Sequence, residues 1–389
     1  MKTRILLWTT PLLAVLCIGF IVFVIFRSVE PKKAATDATV LVTTDPPSYT
    51  IEPVVDGLDH PWDVAFSPSG ELMYTERSGK ISMVKNKVAS QIATINDVKT
   101  SGEGGLMGMA VDSDFEKNRF IYTCYTASSD VRVVRWKVSE DSDELADKKP
   151  IVTGIFSGSG NRHQGCRIAF GPDGYVWIGT GDAATSGQNP QTPQNPKNLA
   201  GKILRVDRDG KAAPGNLGAP FDDRIYSYGH RNTQGIAFLP SPHGDIVGYS
   251  AEHGSSIDDE INVLKKGNFG WDPDVAYTER GVPMTNMQKF PDAIEATWRS
   301  GSPTQAPSGM AVLSGEKWKG WNGALVVAML KDQCLEIILL DENGKVSKDL
   351  RILTEYGRLR DAQQAPDGTL YVSTDNGGNK DKIIRVVPN

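Results

Sequence analysis

The stretch WDVAFSPSGELMYTERSGKISMV, residues 62–84, runs as an apolar strand, a Pro/Gly turn and a second apolar strand. The same phrase returns as RIAFGPDGYVWIGTGD from Arg167, followed by KILRVDRDGK from Lys202. It returns as GIAFLPSPHGDIVGYSAEHG from Gly235, and as DAQQAPDGTLYVSTDNGG from Asp361, the last followed by KIIRVV. Looser copies are GMAVDSDFEKNRFIYTCYTA from Gly108 and GMAVLSGEKWKGWNGALVVAML from Gly309. Six units thus start near residues 63, 108, 167, 235, 309 and 361, spaced 45 to 74 residues apart. Each holds three or four short strands with apolar residues at alternate positions. One such sheet cannot bury both faces, but sheets repeated around an axis bury them against one another. A propeller blade takes about 40–50 residues, so the spacing predicts an all-β, six-bladed β-propeller with loop insertions. A pair of β-sandwiches would have no need of six copies of one phrase. The run YTIEPVVDGL from Tyr49 is expected to pair with the last blade and close the ring. The insert at 183–200, AATSGQNPQTPQNPKNLA, holds too much Pro and Asn to be a strand.

Composition narrows the partners. The chain has 389 residues, 42 basic and 47 acidic, for a net charge of −5, which argues against nucleic acid as the main partner. Its 39 Gly and 23 Pro suit the turns of an all-β fold. The N-terminus reads differently. Lys2 and Arg4 precede an apolar run from Ile5 to Phe26, ended by Arg27. At 1.5 Å per residue that run spans roughly 33 Å, enough to cross a bilayer. It is longer than the usual apolar region of a cleaved signal peptide, and Leu16 before Cys17 speaks against a lipoprotein site. Residues 1–27 are therefore expected to be an uncleaved transmembrane anchor, and 28–45 a polar, Pro-containing tether. Arg27, Lys32 and Lys33 lie beyond the span, but so short a head is easily retained inside. The body, 46–389, is placed outside the cytoplasm on the periplasmic or extracellular face. It holds Cys124, Cys166 and Cys334. Three is odd, so at least one is unpaired within the chain. A disulfide scaffold is excluded, and buried free thiols are expected.

Polar residues gather where repeats meet. Asn161-Arg162-His163 precedes the strand at Arg167, and Asp182 ends the next one. If these strands form a hairpin, His163 and Asp182 fall at the same end, where a carboxylate fixes a histidine tautomer and raises its basicity. The alternative is a loop histidine and a turn-forming aspartate. The run SYGHRNTQGIAF at 227–238 sets His230, Arg231, Asn232 and Gln234 before an apolar strand. Arginine there can bind an anion through two parallel hydrogen bonds, unless the run is a solvated loop. AEHGSSIDDEIN at 251–262 carries Glu252, Asp258, Asp259 and Glu260. Such hard oxygen ligands suit Ca²⁺, although the spacing is not that of a helix-loop-helix site and an acidic surface loop has the same composition. Lys331, Arg358 and Arg360 close two late strands; three cations on one rim suit a multi-carboxylate ligand, though scattered surface charges are commoner. In a propeller such loops converge on one end of the channel.

In this order, HQGCR followed by IGTGD, YGHRNTQG, DDEIN followed by GNFGW, APSG, and GRLRD followed by LYVSTD resemble the soluble glucose dehydrogenases and aldose sugar dehydrogenases that use pyrroloquinoline quinone (PQQ). The resemblance runs from about Gly57 to the C-terminus. It implies a six-bladed propeller that oxidises an aldose at C1 to a lactone with PQQ and Ca²⁺. His163 then matches the general base that removes the C1 hydroxyl proton, and Asp182 the carboxylate that orients it. Arg231 matches the arginine at the quinone oxygens, where charge grows as hydride arrives, with Asn232 and Gln234 beside it. Lys331, Arg358 and Arg360 match the cations that neutralise the PQQ carboxylates, and Thr304 lies in the matching PTQAPSG run. The main-chain carbonyls of Gly254 and Ser255 match those holding the cofactor's Ca²⁺, and Glu260 matches a carboxylate at a second, structural Ca²⁺. Glu103 stands where the glucose dehydrogenases have Gln; a carboxylate there repels a tri-carboxylate cofactor unless protonated or paired. Ser255 stands where Pro is usual, which keeps the carbonyl but loosens the loop. The electrons would pass on to a quinone or cytochrome, near which an anchor would hold the enzyme.

Two other classes are open. A calcium-dependent lactonase would hold its metal by side-chain carboxylates lining the channel, and would not need the three cations. A binding propeller without cofactor would not need His163, Arg231 and Lys331 together.

Overall fold

The computed structural model describes residues 46–140, 144–184, 193–239, 246–272 and 283–389. The expected anchor and tether, 1–45, lie outside the described residues, among which no helix is long and apolar enough to cross a membrane. The described strands form six sheets. The first blade runs outward as Pro61–Phe66, Leu72–Glu76, Lys80–Lys85 and Val88–Thr94, all antiparallel. The inner strands of the next five blades are Leu106–Val111, Gly165–Phe170, Thr233–Phe238, Pro307–Val312 and Leu359–Gln364. Each inner strand packs on the next, and the sixth packs on the first. The third blade gains a fifth strand, Gly267–Asn268, parallel to Ile225–Tyr228.

The ring closes as expected. Tyr49–Leu58 pairs antiparallel with Asp381–Pro388, from Tyr49 opposite Pro388 to Leu58 opposite Asp381. The first strand of the body is therefore the outer strand of the last blade. This ties both ends of the body into one sheet and leaves no open seam.

Six apolar clusters hold the ring, one in each seam between neighbouring blades. The seam of blades one and two buries Met73, Ile81 and Met83 against Leu106, Ile121 and Val134. That of blades three and four buries Trp177 and Ile203 against Ile236 and Leu264. Alternate side chains of every middle strand are thus spent on opposite neighbours, the burial that the period-two pattern demands.

One irregularity recurs in every blade. The pairing of each inner strand with the next slips near its start: between Pro61 and Asp63, Leu106 and Met109, Gly165 and Arg167, Thr233 and Gly235, Pro307 and Met310, and Leu359 and Asp361. A bulge re-aims the side chain of the extra residue. Trp62, Met107, Gln234 and Arg360 all sit in these slips and all line one cavity at this end of the channel.

The expectation of free thiols is corrected for two of the three body cysteines. Cys124 and Cys166 form a disulfide between blades two and three, closing 42 residues of chain. Neither residue is exposed. Their alternation toward one shared seam brings them together, which spacing along the chain does not reveal. Cys334 stays free and buried.

Candidate active site

The cavity at the bulged ends of the inner strands measures about 240 Å³. His60, Trp62, Arg77, Glu103, Gln234, His253, Arg358, Arg360 and Asp375 are among the residues that line it. A second cavity of about 340 Å³ occupies the channel farther along, lined by the inner strands, with Asp63, Arg167, Asp361 and Gln363 among its residues. Between them Arg167 bridges the channel, 2.7 Å from Asp63 and 3.2 Å from Asp361. Its guanidinium lies 4.4 Å from the Trp62 ring, so the tryptophan caps the floor of the first cavity.

Strands Gly165–Phe170 and Val176–Thr180 form the hairpin that the sequence predicts. It brings His163 and Asp182 to one end, with His163 Nδ1 2.8 Å from Asp182 Oδ1. His163 adopts a left-handed backbone (φ +49°) just ahead of the bulge. Its own N–H donates to Glu103 Oε2 at 2.9 Å. Asp182 also accepts from the Ala184 N–H at 2.8 Å and from the Trp271 indole at 2.7 Å. Burial pushes the Asp182 carboxyl up, but His163, Arg231 and Trp271 together hold it below the usual carboxylate range. Arg231 places Nη2 3.0 Å from His163 Nε2 and donates through Nη1 to the His253 carbonyl at 2.8 Å. A guanidinium only donates, so Nε2 is the accepting nitrogen and Nδ1 carries the proton toward Asp182. His163 and Asp182 are 2 % and 1 % exposed. The group is a pre-oriented imidazole with Nδ1 toward a carboxylate and Nε2 toward a guanidinium.

The other expected residues fall as follows. Asn232 accepts the Gly165 N–H at 2.9 Å and lies 3.4 Å from Glu103, buttressing the His163 turn. Gln234 accepts from Arg360 Nη1 at 3.0 Å. Lys331 follows the strand Leu325–Met329 and reaches Thr304 Oγ1 at 3.0 Å. Arg358 and Arg360 open the inner strand of the sixth blade, or immediately precede it, instead of closing a strand. Arg360 is bonded to Asp375, and Arg358 lies 3.6 Å from the same carboxylate. Glu103 has Arg162 3.9 Å away, so its negative charge is partly countered. Glu260 lies in a different cluster: it is bonded to Thr285 at 2.9 Å, to Asn262 at 3.2 Å and to Arg299 at 2.9 Å. Burial pushes its carboxyl up to about 8 despite Arg299. Arg299 is the cation that faces this carboxylate among the described residues.

Two tests of fit can be read from the remaining groups. Arg360 Nε and His253 Nε2 are buried without a hydrogen-bond partner, and both residues line the cavity. Such orphan polar atoms are costly unless a polar ligand engages them. At Gly254 a Cβ would meet the Ile257 carbonyl oxygen at 2.1 Å and that of Asp258 at 2.7 Å. Carbonyl oxygens crowd the space beside this glycine, a donor set that suits a hard cation such as Ca²⁺.

Residue-level reading missed His60, Trp62, Arg77, His253, Trp271 and Asp375. Asp375 was within reach: it follows the strand Leu370–Thr374 much as Asp182 follows Val176–Thr180. The others carry no local signal, because bulges and cross-blade packing aim them.

Fold and site together define a six-bladed propeller with a buried His–Asp pair close to a cavity walled by cations. The glucose/sorbosone dehydrogenase family profile matches residues 58–385. An aldose sugar dehydrogenase of Escherichia coli is 31% identical over 365 residues, covering 88% of this chain and 94% of its own. An uncharacterised protein of Synechocystis is 31% identical over 392 residues, covering 92% of this chain and 91% of its own. The PQQ-bound aldose sugar dehydrogenase of Streptomyces coelicolor superposes with a TM-score of 0.73 at 31% identity, over 89% of this chain and 100% of that one. The chain belongs to the glucose/sorbosone dehydrogenase family.

Proposed function

We propose that the protein oxidises an aldose at C1 to the lactone with PQQ as cofactor and Ca²⁺ as its metal. The observation that carries this reading is the buried His163–Asp182 pair beside Arg231, next in the chain to Gln164 and Gly165, which line the same cavity as Arg358 and Arg360. PQQ, when bound, supplies the hydride acceptor. The C1 hydroxyl proton goes to His163 Nε2, and Asp182 stabilises the imidazolium that forms. Arg231 covers that lone pair in this structure, so substrate oxygen and guanidinium must share the space around Nε2. Trp271 and the Ala184 N–H keep Asp182 ionised and aimed at Nδ1. Arg358, Arg360 and Lys331 would hold the cofactor's carboxylates, Thr304 would steady Lys331, and Arg231, Asn232 and Gln234 would flank its ring. The carbonyls at Gly254 and Ser255 would hold Ca²⁺. The pairing of Glu103 with Arg162 and the His163 N–H tempers the repulsion expected from a carboxylate at this rim. In the channel Asp63 and Asp361 are engaged with Arg167, which counts against the lactonase reading.

The Cys124–Cys166 disulfide supports a location outside the cytoplasm, where such bonds persist. The anchor at 1–27 and a quinone or cytochrome as electron acceptor belong to the same proposal. The test is titration of the protein with PQQ and Ca²⁺ by absorbance, followed by a panel of aldoses. Saturable binding and reduction of the cofactor by an aldose, lost in His163→Ala, is the expected result. Absence of binding at micromolar PQQ overturns the proposal.

A further inference from the structure

The cavity wall holds a His–Asp pair that the chemistry above does not use. His60 Nδ1 lies 2.6 Å from Asp375 Oδ1. His60 stands directly before the inner strand of blade one with φ +53°, much as His163, with φ +49°, precedes that of blade three. Both backbones are pinned by acidic side chains: the His60 N–H donates to Asp381 Oδ2 at 3.0 Å, and the His163 N–H to Glu103. A third pair, His230–Glu252 at 2.6 Å, is wholly buried, and its other ring nitrogen is taken by Ser227 at 2.8 Å. That pair is a structural strut. His60 instead keeps 29% of its side chain exposed and lines the cavity.

What sets His60 apart is what Asp375 does with its other oxygen. Asp375 Oδ2 takes the Arg360 guanidinium and lies 3.6 Å from Arg358. One carboxylate thus serves two arginines and a histidine. With His60 neutral, Asp375 offsets one of the two guanidinium charges; with His60 protonated, the wall presents one more positive charge to a ligand. The other charged groups around the ring are Asp59, 3.9 Å from Nε2, and Arg77, whose backbone N–H donates to the His60 carbonyl at 3.1 Å. Asp381 holds the backbone, and Glu76 is bonded to the Asp59 N–H.

We propose that His60 is a titratable member of the carboxylate-binding wall, so that the cavity takes up a proton as it takes up its multi-carboxylate ligand. This rests on the cofactor reading above and deepens it. The hydrogen bond to Asp375 raises the His60 pKa above its ordinary value; burial and Arg77 oppose this, and Asp59 adds to it. His60 is therefore charged below that raised value. Affinity for an anion is greatest there and falls as pH rises through it. Linkage is reciprocal, so a bound anion raises the His60 pKa further.

The test is calorimetric titration of the full chain, in Ca²⁺, with PQQ from pH 6 to pH 9, in buffers of different ionisation enthalpy. The comparison is H60N. Asn accepts a left-handed backbone, and its amide N–H can replace Nδ1–H toward Asp375, so H60N keeps the contact and loses the titration. The wild type is expected to take up as much as about one proton on binding, with Kd weakening by up to about tenfold per pH unit across that interval. H60N is expected to bind without that uptake and with a flat profile. Independently of any variant, the ring resonances of the five histidines followed by NMR should show one exposed ring whose titration moves upward when PQQ is added. Binding by the wild type without proton uptake, or uptake retained in folded H60N, overturns the role of His60 and leaves the cofactor reading standing. No binding by the wild type at any pH overturns both.

Discussion

Asp182 approaches His163 from the strand end opposite it in one hairpin, with Oδ1 2.8 Å from Nδ1. The two residues are 19 positions apart, and Trp271, far along the chain, locks the second carboxylate oxygen. The histidine thereby presents one tautomer. In Asp182→Asn the amide offers either a donor or a weak acceptor to Nδ1, and the tautomer is lost. kcat is expected to fall by about 10²–10⁴, the usual worth of a positioned general base. PQQ binding followed by absorbance should change little. A kcat within threefold of wild type would remove Asp182 from the mechanism.

The disulfide joins Cys124 to a residue three positions after His163. Replacing both cysteines by Ala should lower stability by about 3–4 kcal/mol on loop-closure grounds, read by urea denaturation. It should also lower kcat at temperatures where the protein stays folded, because blade two no longer holds the bulge that carries the base. Loss of stability with unchanged kcat would confine the bond to a structural role.

Asp375 is buried between Arg360 and His60, and although burial raises its carboxyl, those partners hold it well below the usual carboxylate range. A depressed carboxylate stabilises the fold above its unfolded pKa, and that stability is lost as pH falls through the folded value. Asp375→Asn should therefore cost about 3–5 kcal/mol at pH 7, as breaking a buried pair does. The gap to wild type should narrow toward pH 2. A pH-independent difference in denaturation midpoints would contradict the charge assignment.

Glu336 behaves in the opposite sense. It is 2 % exposed, with Cys334 3.7 Å away and Arg351 at 3.2 Å. Burial pushes its carboxyl up to about 7. Between the unfolded value near 4.5 and about 7, the unfolded chain ionises while the folded one stays protonated, so stability declines as pH rises across that window. Glu336→Gln should leave thermal stability at pH 4 nearly unchanged and raise the midpoint by a few degrees at pH 8. A lower midpoint at pH 8 would show the Arg351 pair to be net stabilising.

The repeat was legible because it is local. The strand–turn–strand phrase from Trp62 and its copies name the inner strands to within a few residues, and Tyr49–Leu58 closes the ring where its alternation predicts. His163 and Asp182 were legible for the same reason, since a hairpin maps sequence distance onto space. Glu260 was read as a calcium ligand from its acidic run and from the family resemblance; Arg299, from the short strand Trp298–Arg299 beside it, supplies a cation the local run does not show. Cys124 and Cys166 carried no sign of pairing, because each belongs to a different blade.

The sequence by itself determined the number of blades, the strand that closes them, and the hairpin bearing the base. Alternating burial and turn chemistry act between near neighbours, and both are written in residue order. Only the tertiary structure decided that His60 meets Asp375, 315 positions away, and that Trp62, Gln234 and Arg360 share one cavity. Ring closure sets which chain ends touch, and the bulge in each inner strand sets which side chain turns inward. Both depend on packing between blades, which no single stretch of residues encodes.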